Sequence, residues 1–167
     1  MPEIMYLEDM RVYHGSDQIV DKPRIIDPTR NMDFGKGFYT TESEKQAETW
    51  AIKTRDRRES KKAYVSVYDF RSIDDLKILF FDEPTEEWFD FIHSNRIHGV
   101  EHDYDVIVGP VADDGVIMTL FKYDNLMLNK TDAIQELKTA KYQGQVLFHT
   151  NKSLGSIKFI EYREVER

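Results

Sequence analysis

The 167-residue chain contains no cysteine. That excludes a disulfide framework, a thiolate nucleophile and a Cys-ligated zinc site. It fits a reducing compartment, and a cytoplasmic protein is expected. No apolar run approaches the roughly 18 residues that a membrane-spanning helix requires. The start, Met1-Pro2-Glu3-Ile4, lacks the basic-then-apolar order of a signal peptide, so no membrane partner is expected. Low-complexity linkers, repeats and composition breaks are also missing. One domain over residues 1–167 is therefore expected, long enough to bury about two-thirds of its unfolded surface. Positive charge is in short supply: 23 Lys and Arg stand against 31 Asp and Glu, a net charge of −8. That argues against general affinity for nucleic-acid backbones. The basic residues that exist cluster at Lys53, Arg55, Arg57, Arg58, Lys61 and Lys62. They read either as a solvated helix end suited to the C-terminal dipole or as a docking patch for an acidic partner. No Gly-x-Gly-x-x-Gly turn supports a Rossmann site, and no Gly-x-Ser-x-Gly elbow supports a serine hydrolase.

What is present alternates between strand and helix signals. Arg11-Val12-Tyr13 reads as a short strand entering a His14-Gly15 turn. Residues 17–37, with Pro23, Pro28, Gly35 and Gly37, read as a long functional loop. A second short strand spans 37–40. A capped helix then runs from 43 to about 58, with Ala47, Trp50, Ala51 and Thr54 at helical spacing. Residues 63–70 alternate at period two and form the clearest strand. Further strands are expected at 76–81, at 106–108 before a Gly-Pro stop, at 146–148 and at 157–160. Helices are expected at 85–95, 115–123 and 131–140. This order lacks strict strand–helix–strand alternation and predicts an α+β fold.

Two motifs concentrate the chemistry: Tyr13-His14-Gly15-Ser16 and Asp33-Phe34-Gly35-Lys36-Gly37-Phe38-Tyr39-Thr40-Thr41. They resemble the first two motifs of the diphtheria-toxin and poly(ADP-ribose)-polymerase class of ADP-ribosyltransferases. Three longer strings sharpen the likeness: Ala47-x-x-Trp50-Ala51, the run from Tyr104 to Asp114, and Gln145-Val146-Leu147-Phe148-His149-Thr150. Together they are similar to a bacterial family of unknown function grouped with those transferases, over roughly residues 11 to 160.

The resemblance implies a split β-sheet core with flanking helices, and NAD+ as a substrate needing no metal. It implies that His14 hydrogen-bonds the adenosine ribose and that the Gly15 backbone holds the nicotinamide carboxamide, where a side chain would block the approach. Tyr39 is implied to stack on the cationic nicotinamide ring, an attraction of about 0.5–2 kcal/mol. Phe34 and Trp50 are candidates for the opposite wall, and Gly35 and Gly37 let the chain turn closely around the ligand. Ser16, Phe38 and Thr40 complete the two binding motifs. Arg30 is the preferred pyrophosphate contact, with Lys36 and Arg24 as other candidates.

A late-strand glutamate stabilises the oxocarbenium-like centre in the resembled class. Here Gln145 stands at that place, so His14, Tyr39 and Gln145 form the expected catalytic set. Asp113 and Asp114 are candidates to face the ribose or activate an acceptor, and Glu136, Glu161 and Glu164 are further candidate carboxylates. His93, His98 and His102 crowd one stretch, but their spacing does not predict a metal site. The expected activity is mono-ADP-ribosylation of a protein or nucleic-acid acceptor by a bacterial toxin or effector with a neutralising antitoxin. An NAD+ glycohydrolase and a non-catalytic NAD- or ADP-ribose-binding module are the alternatives.

Overall fold

The computed structural model describes residues 10–25, 32–99, 101–110, 116–137 and 144–166. Seven strands form one mixed sheet: β1 (Met10–Ser16), β2 (Phe38–Thr41), β3 (Ala63–Phe70), β4 (Ile78–Phe80), β5 (Val106–Pro110), β6 (Gly144–Phe148) and β7 (Ile157–Val165). Their order is β4-β5-β6-β2-β1-β3-β7. Among the described residues only the β4–β5 pair is parallel. Five α-helices lie among the described residues: α1 (Glu44–Arg58), α2 (Glu86–His93), α3 (Val116–Asp124), α4 (Lys130–Leu137) and α5 (Asn151–Leu154). The expected α+β class is what forms.

Local chemistry sets the element ends. The Ser43 hydroxyl accepts from the Gln46 amide at 3.2 Å and starts α1. Arg55, Arg57 and Arg58 occupy the last turn, where cations suit the helix dipole. The Thr85 hydroxyl caps α2 through the Trp88 amide at 3.3 Å. The expected helix over 85–95 does not stop cleanly. A π-helical turn, Ser94–His98, carries the chain on to Gly99.

Tertiary pairing corrects several boundaries. β1 does not end in a His14-Gly15 turn, because His14 pairs with Ser66, Gly15 with Val65 and Ser16 with Tyr64. The long β3 supplies partners that outweigh the weak strand preference of glycine. Gly109 and Pro110 lie inside β5, opposite Gln145 and Gly144. Proline is tolerated there because β4 ends at Phe80, level with Val108, so the ladder with β4 asks nothing of the Pro110 nitrogen. β7 runs well past the expected 157–160, since it follows β3 along its length through a register shift at Val67/Tyr68. The short α5 was not expected; Thr150 and Ser153 form the reciprocal cap that starts it.

The sheet buries apolar residues on both faces. Tyr39 and Leu147 look toward a core that includes Trp88, Phe89 and Ile92 of α2 and Leu137 of α4. Val12, Phe38, Tyr68, Val146 and Phe148 form the core of the opposite face. α1 covers β1 and β3 through Ala47, against Val65, Val67 and Tyr13.

One joint in the sheet is weak. β1 pairs with β3 along its whole length, and β2 pairs with β6 along its own. Between β1 and β2 the single register pair is Tyr13 with Thr41. The sheet is thus two well-laddered halves meeting at one point.

Candidate functional site

The sequence motifs meet at that joint. One cross-strand row runs from Val67 through Tyr13, Thr41 and Gln145 to Gly109. His14, Tyr39 and Gln145, far apart in sequence, therefore sit on the adjacent strands β1, β2 and β6. They do not share a face. Tyr39, Thr41 and Gln145 follow the same side of the pleat, whereas His14 stacks on Phe38 on the other, with ring centroids 4.4 Å apart.

The His14 Nδ1 lies 2.7 Å from the Tyr39 carbonyl oxygen. A carbonyl only accepts, so Nδ1 carries the proton and donates it. Burial pushes the His14 pKa below its ordinary value; the Tyr39 carbonyl offsets part of this, and the Arg58 charge adds to it. The ring is therefore neutral near pH 7, and Nε2 carries a lone pair that can accept from a hydroxyl.

Tyr39 holds the glycine turn before it. Its hydroxyl donates to the Gly35 carbonyl at 2.5 Å and accepts from the Phe34 amide at 3.1 Å. Burial raises the phenol pKa strongly, so the group stays a neutral donor. Two histidines hold the same turn. His102 Nε2 donates to the Phe34 carbonyl at 2.8 Å, and His149 Nδ1 donates to the Lys36 carbonyl at 2.6 Å. Their rings lie 4.1 Å apart. Burial, more than the nearby His149, lowers the His102 pKa. Gly37, at φ 150°, has no room for a side chain: a Cβ would come within 2.5 Å of Leu147 Cδ1 and the Phe148 carbonyl.

Gln145 is 3% exposed. Its Nε2 faces Asp33 Oδ2 at 3.5 Å and the Pro110 carbonyl at 3.3 Å. The Trp88 indole N–H donates to that same carbonyl at 3.0 Å. Asp33 Oδ1 in turn accepts from Arg96 Nε at 2.6 Å. Asp33 and Arg96 are the functional candidates that sequence reading left unassigned. Asp33 had a signal, because it opens the glycine motif. Arg96 had none; only the fold brings the π-helical turn to this point.

The remaining expected residues divide clearly. Gly15 has a steric reason other than ligand access: a Cβ there would lie 1.9 Å from the Ala47 carbonyl oxygen of α1. Phe34 is wholly buried against Phe81 and Phe91. Its ring belongs to the core beside α2. Phe38 is core as well, and Thr40 is buried with its hydroxyl donating to the Val146 carbonyl at 2.7 Å. The Ser16 hydroxyl accepts from the Gln18 amide at 3.3 Å. Trp50 is half-buried on α1, one residue before Ala51, whose amide a Cβ on Gly15 would approach within 2.7 Å. Lys36 is half-buried and Arg24 exposed. Arg30, Asp113 and Asp114 lie outside the described residues.

The other charged candidates have structural partners. Arg58 pairs with Asp17 at 2.8 Å and Lys62 with Glu164 at 3.1 Å. Glu136 accepts from Thr119 at 3.0 Å, and Glu161 from Arg163. His93 bonds Asp124 at 2.7 Å, whereas His102 holds the Phe34 carbonyl. Among the described residues no three His, Asp or Glu are grouped to hold a metal, and no helix is long and apolar enough to cross a membrane. Among the described residues, a cavity of about 380 Å³ is lined by α2 and α4 residues including Glu86 and Ile134, and one of about 260 Å³ by residues including Arg11 and Asp69.

Comparison with known proteins gives one match. No curated protein and no solved structure matches the chain. The family described as "Protein of unknown function (DUF3990)" matches residues 10–159, nearly the whole described sheet, and the chain belongs to that family.

Proposed function

We propose that the protein is an NAD+-dependent mono-ADP-ribosyltransferase built on an ADP-ribosyltransferase-like split sheet, with NAD+ bound across the β1–β2 joint. The observation that carries this reading is the placing of His14, Tyr39 and Gln145 on three adjacent strands, His14 on the opposite face from the other two, beside the β1–β2 joint with its single register pair. His14 presents an Nε2 lone pair there, suited to a ribose hydroxyl. The backbone of β1 beyond Tyr13 has no register pair with β2, which favours a carboxamide that needs both a donor and an acceptor. Trp50, half-buried on the helix that closes over Gly15, and Tyr39 are the aromatic groups offered to the nicotinamide.

In the reaction the C1′–N bond of NAD+ breaks and its electron pair leaves on neutral nicotinamide. The acceptor's lone pair then bonds C1′, and the acceptor's proton passes to solvent. Gln145 accepts a hydrogen bond from the ribose but brings no negative charge. A charged partner is roughly twice as strong, so turnover slower by about 10²–10³-fold than with a carboxylate is expected. That same neutral amide favours a second reading, a module that binds NAD+ without cleaving it.

Incubation with adenine-labelled NAD+ and a cell extract, beside His14→Ala, tests the assignment. Label on a macromolecule, lost in the variant, supports transfer. Label released as free ADP-ribose points to a glycohydrolase, and bound but intact NAD+ to the binding module. A protein that neither binds nor consumes NAD+ overturns the reading.

A further inference from the structure

The amide of Gln145 has its orientation dictated from behind. Both groups facing its nitrogen, the Asp33 carboxylate and the Pro110 carbonyl, can only accept. The two N–H bonds are therefore directed at them, and Oε1 points the other way. Asp33 is itself fixed, because Arg96 Nε holds its other oxygen at 2.6 Å and the pair is largely buried, the two side chains being 15% and 8% exposed. The Asp33 and Arg96 charges are also felt at the Tyr39 hydroxyl, the former raising and the latter lowering its pKa.

Resting on the NAD+ reading above, we propose that Asp33 is a positioning residue that holds the Gln145 amide with its oxygen outward, as the acceptor for the 2′-hydroxyl of the nicotinamide ribose. A glutamine alone has two nearly isosteric orientations, one presenting oxygen and one presenting nitrogen. Only the first can accept from a hydroxyl while leaving no buried N–H unpaired. A carboxylate behind the N–H bonds selects that orientation and, by polarising the amide, strengthens its oxygen as an acceptor. Arg96 keeps the carboxylate in place. The arrangement recovers, through two residues, part of what a single carboxylate at position 145 would supply.

The proposal makes a simple Gln145→Glu exchange unfavourable. It would set two carboxylates side by side, and like charges at such distance resist joint ionisation. Asp33→Asn together with Gln145→Glu exchanges amide and carboxylate, keeping both the shape of the pair and its single negative charge.

The test measures affinity by calorimetry for NAD+ and for the analogue lacking the 2′-hydroxyl of the nicotinamide ribose. Wild type is expected to prefer NAD+ about tenfold, the worth of one hydrogen bond of roughly 1.4 kcal/mol. Asp33→Asn should bind both ligands within about twofold of each other, and D33N/Q145E should restore the preference. Melting temperatures at pH 6 and 8 supply a readout that needs no ligand: Q145E should lose stability as pH rises, and D33N/Q145E should not. Retention of the tenfold preference in D33N, no preference in wild type, or identical pH behaviour of Q145E and D33N/Q145E would each overturn the proposal while leaving NAD+ binding intact. A wild-type chain that binds neither ligand overturns the functional reading, and this proposal with it.

Discussion

The imidazole of His14 donates from Nδ1 to the backbone carbonyl of Tyr39, 2.7 Å away, across the joint between β1 and β2. One side chain thus bridges the two halves of the sheet close to their only register pair, Tyr13 with Thr41. The bond also fixes the tautomer. A ring that must donate at Nδ1 is an acceptor at Nε2, so the sheet's own repair of its weak point prepares the group assigned to the ribose.

Tyr39 has a structural task in addition to any ligand contact. Tyr39→Phe keeps the ring and removes both hydroxyl bonds to the 34–35 turn. A loss of about 1–3 kcal/mol is expected, read as a drop in Tm of roughly 2–4 °C per kcal/mol. NAD+ affinity should fall less than in Tyr39→Ala, which removes the ring as well. An unchanged Tm in Tyr39→Phe would show that the hydroxyl does not hold the turn.

Gly15→Ala drives a methyl group into the Ala47 carbonyl of α1, to which the ideal Cβ position is only 1.9 Å. Backbone cannot yield as a side-chain tip does, so a cost of about 3 kcal/mol or more is expected. Urea unfolding measures it directly. A variant as stable as wild type would mean that α1 does not lie against β1 as described.

Acid should weaken the fold near neutrality. His14 and His102 both have pKa values lowered in the folded chain, chiefly by burial. The unfolded chain therefore binds protons that the folded chain refuses. The stability these rings contribute is complete above about pH 6.5 and is lost as the pH falls through that value toward their depressed folded values. Asp17, whose pKa is lowered from 3.8 by Ser60 and Arg58 against the opposing effect of burial, contributes only at more acid pH. Urea midpoints at pH 7.5, 6.5 and 5.5 should fall in that order, with a shallower fall in His102→Asn. A midpoint that rises toward pH 5.5 would contradict the neutral, buried assignment.

Much of the fold was legible where local chemistry decides it. The alternation at 63–70 and the Ser43 cap, with helical spacing from Ala47 to Thr54, located β3 and α1 within a residue. The misread boundaries are those settled by a distant partner. His14 and Gly15 look like a turn until β3 is there to pair with them, and Pro110 looks like a stop until β4 is seen to end short of it. The site followed the same rule. Motif residues pointed to His14, Tyr39 and Gln145, and the sheet brings their strands together. The burial of Phe34 in the core was not legible, because an aromatic beside a glycine reads the same whether its ring faces a ligand or a core. Arg96 carried no sequence mark, since its meaning lies wholly in its approach to Asp33.

The most direct test is calorimetric titration of NAD+ into the wild-type chain and into His14→Ala, with Tm measured on both. Saturable binding by wild type, weakened about tenfold in a folded His14→Ala, is the predicted result, equivalent to one hydrogen bond of roughly 1.4 kcal/mol. No binding by wild type, or equal affinity in both proteins, would contradict the assignment of the β1–β2 joint to NAD+.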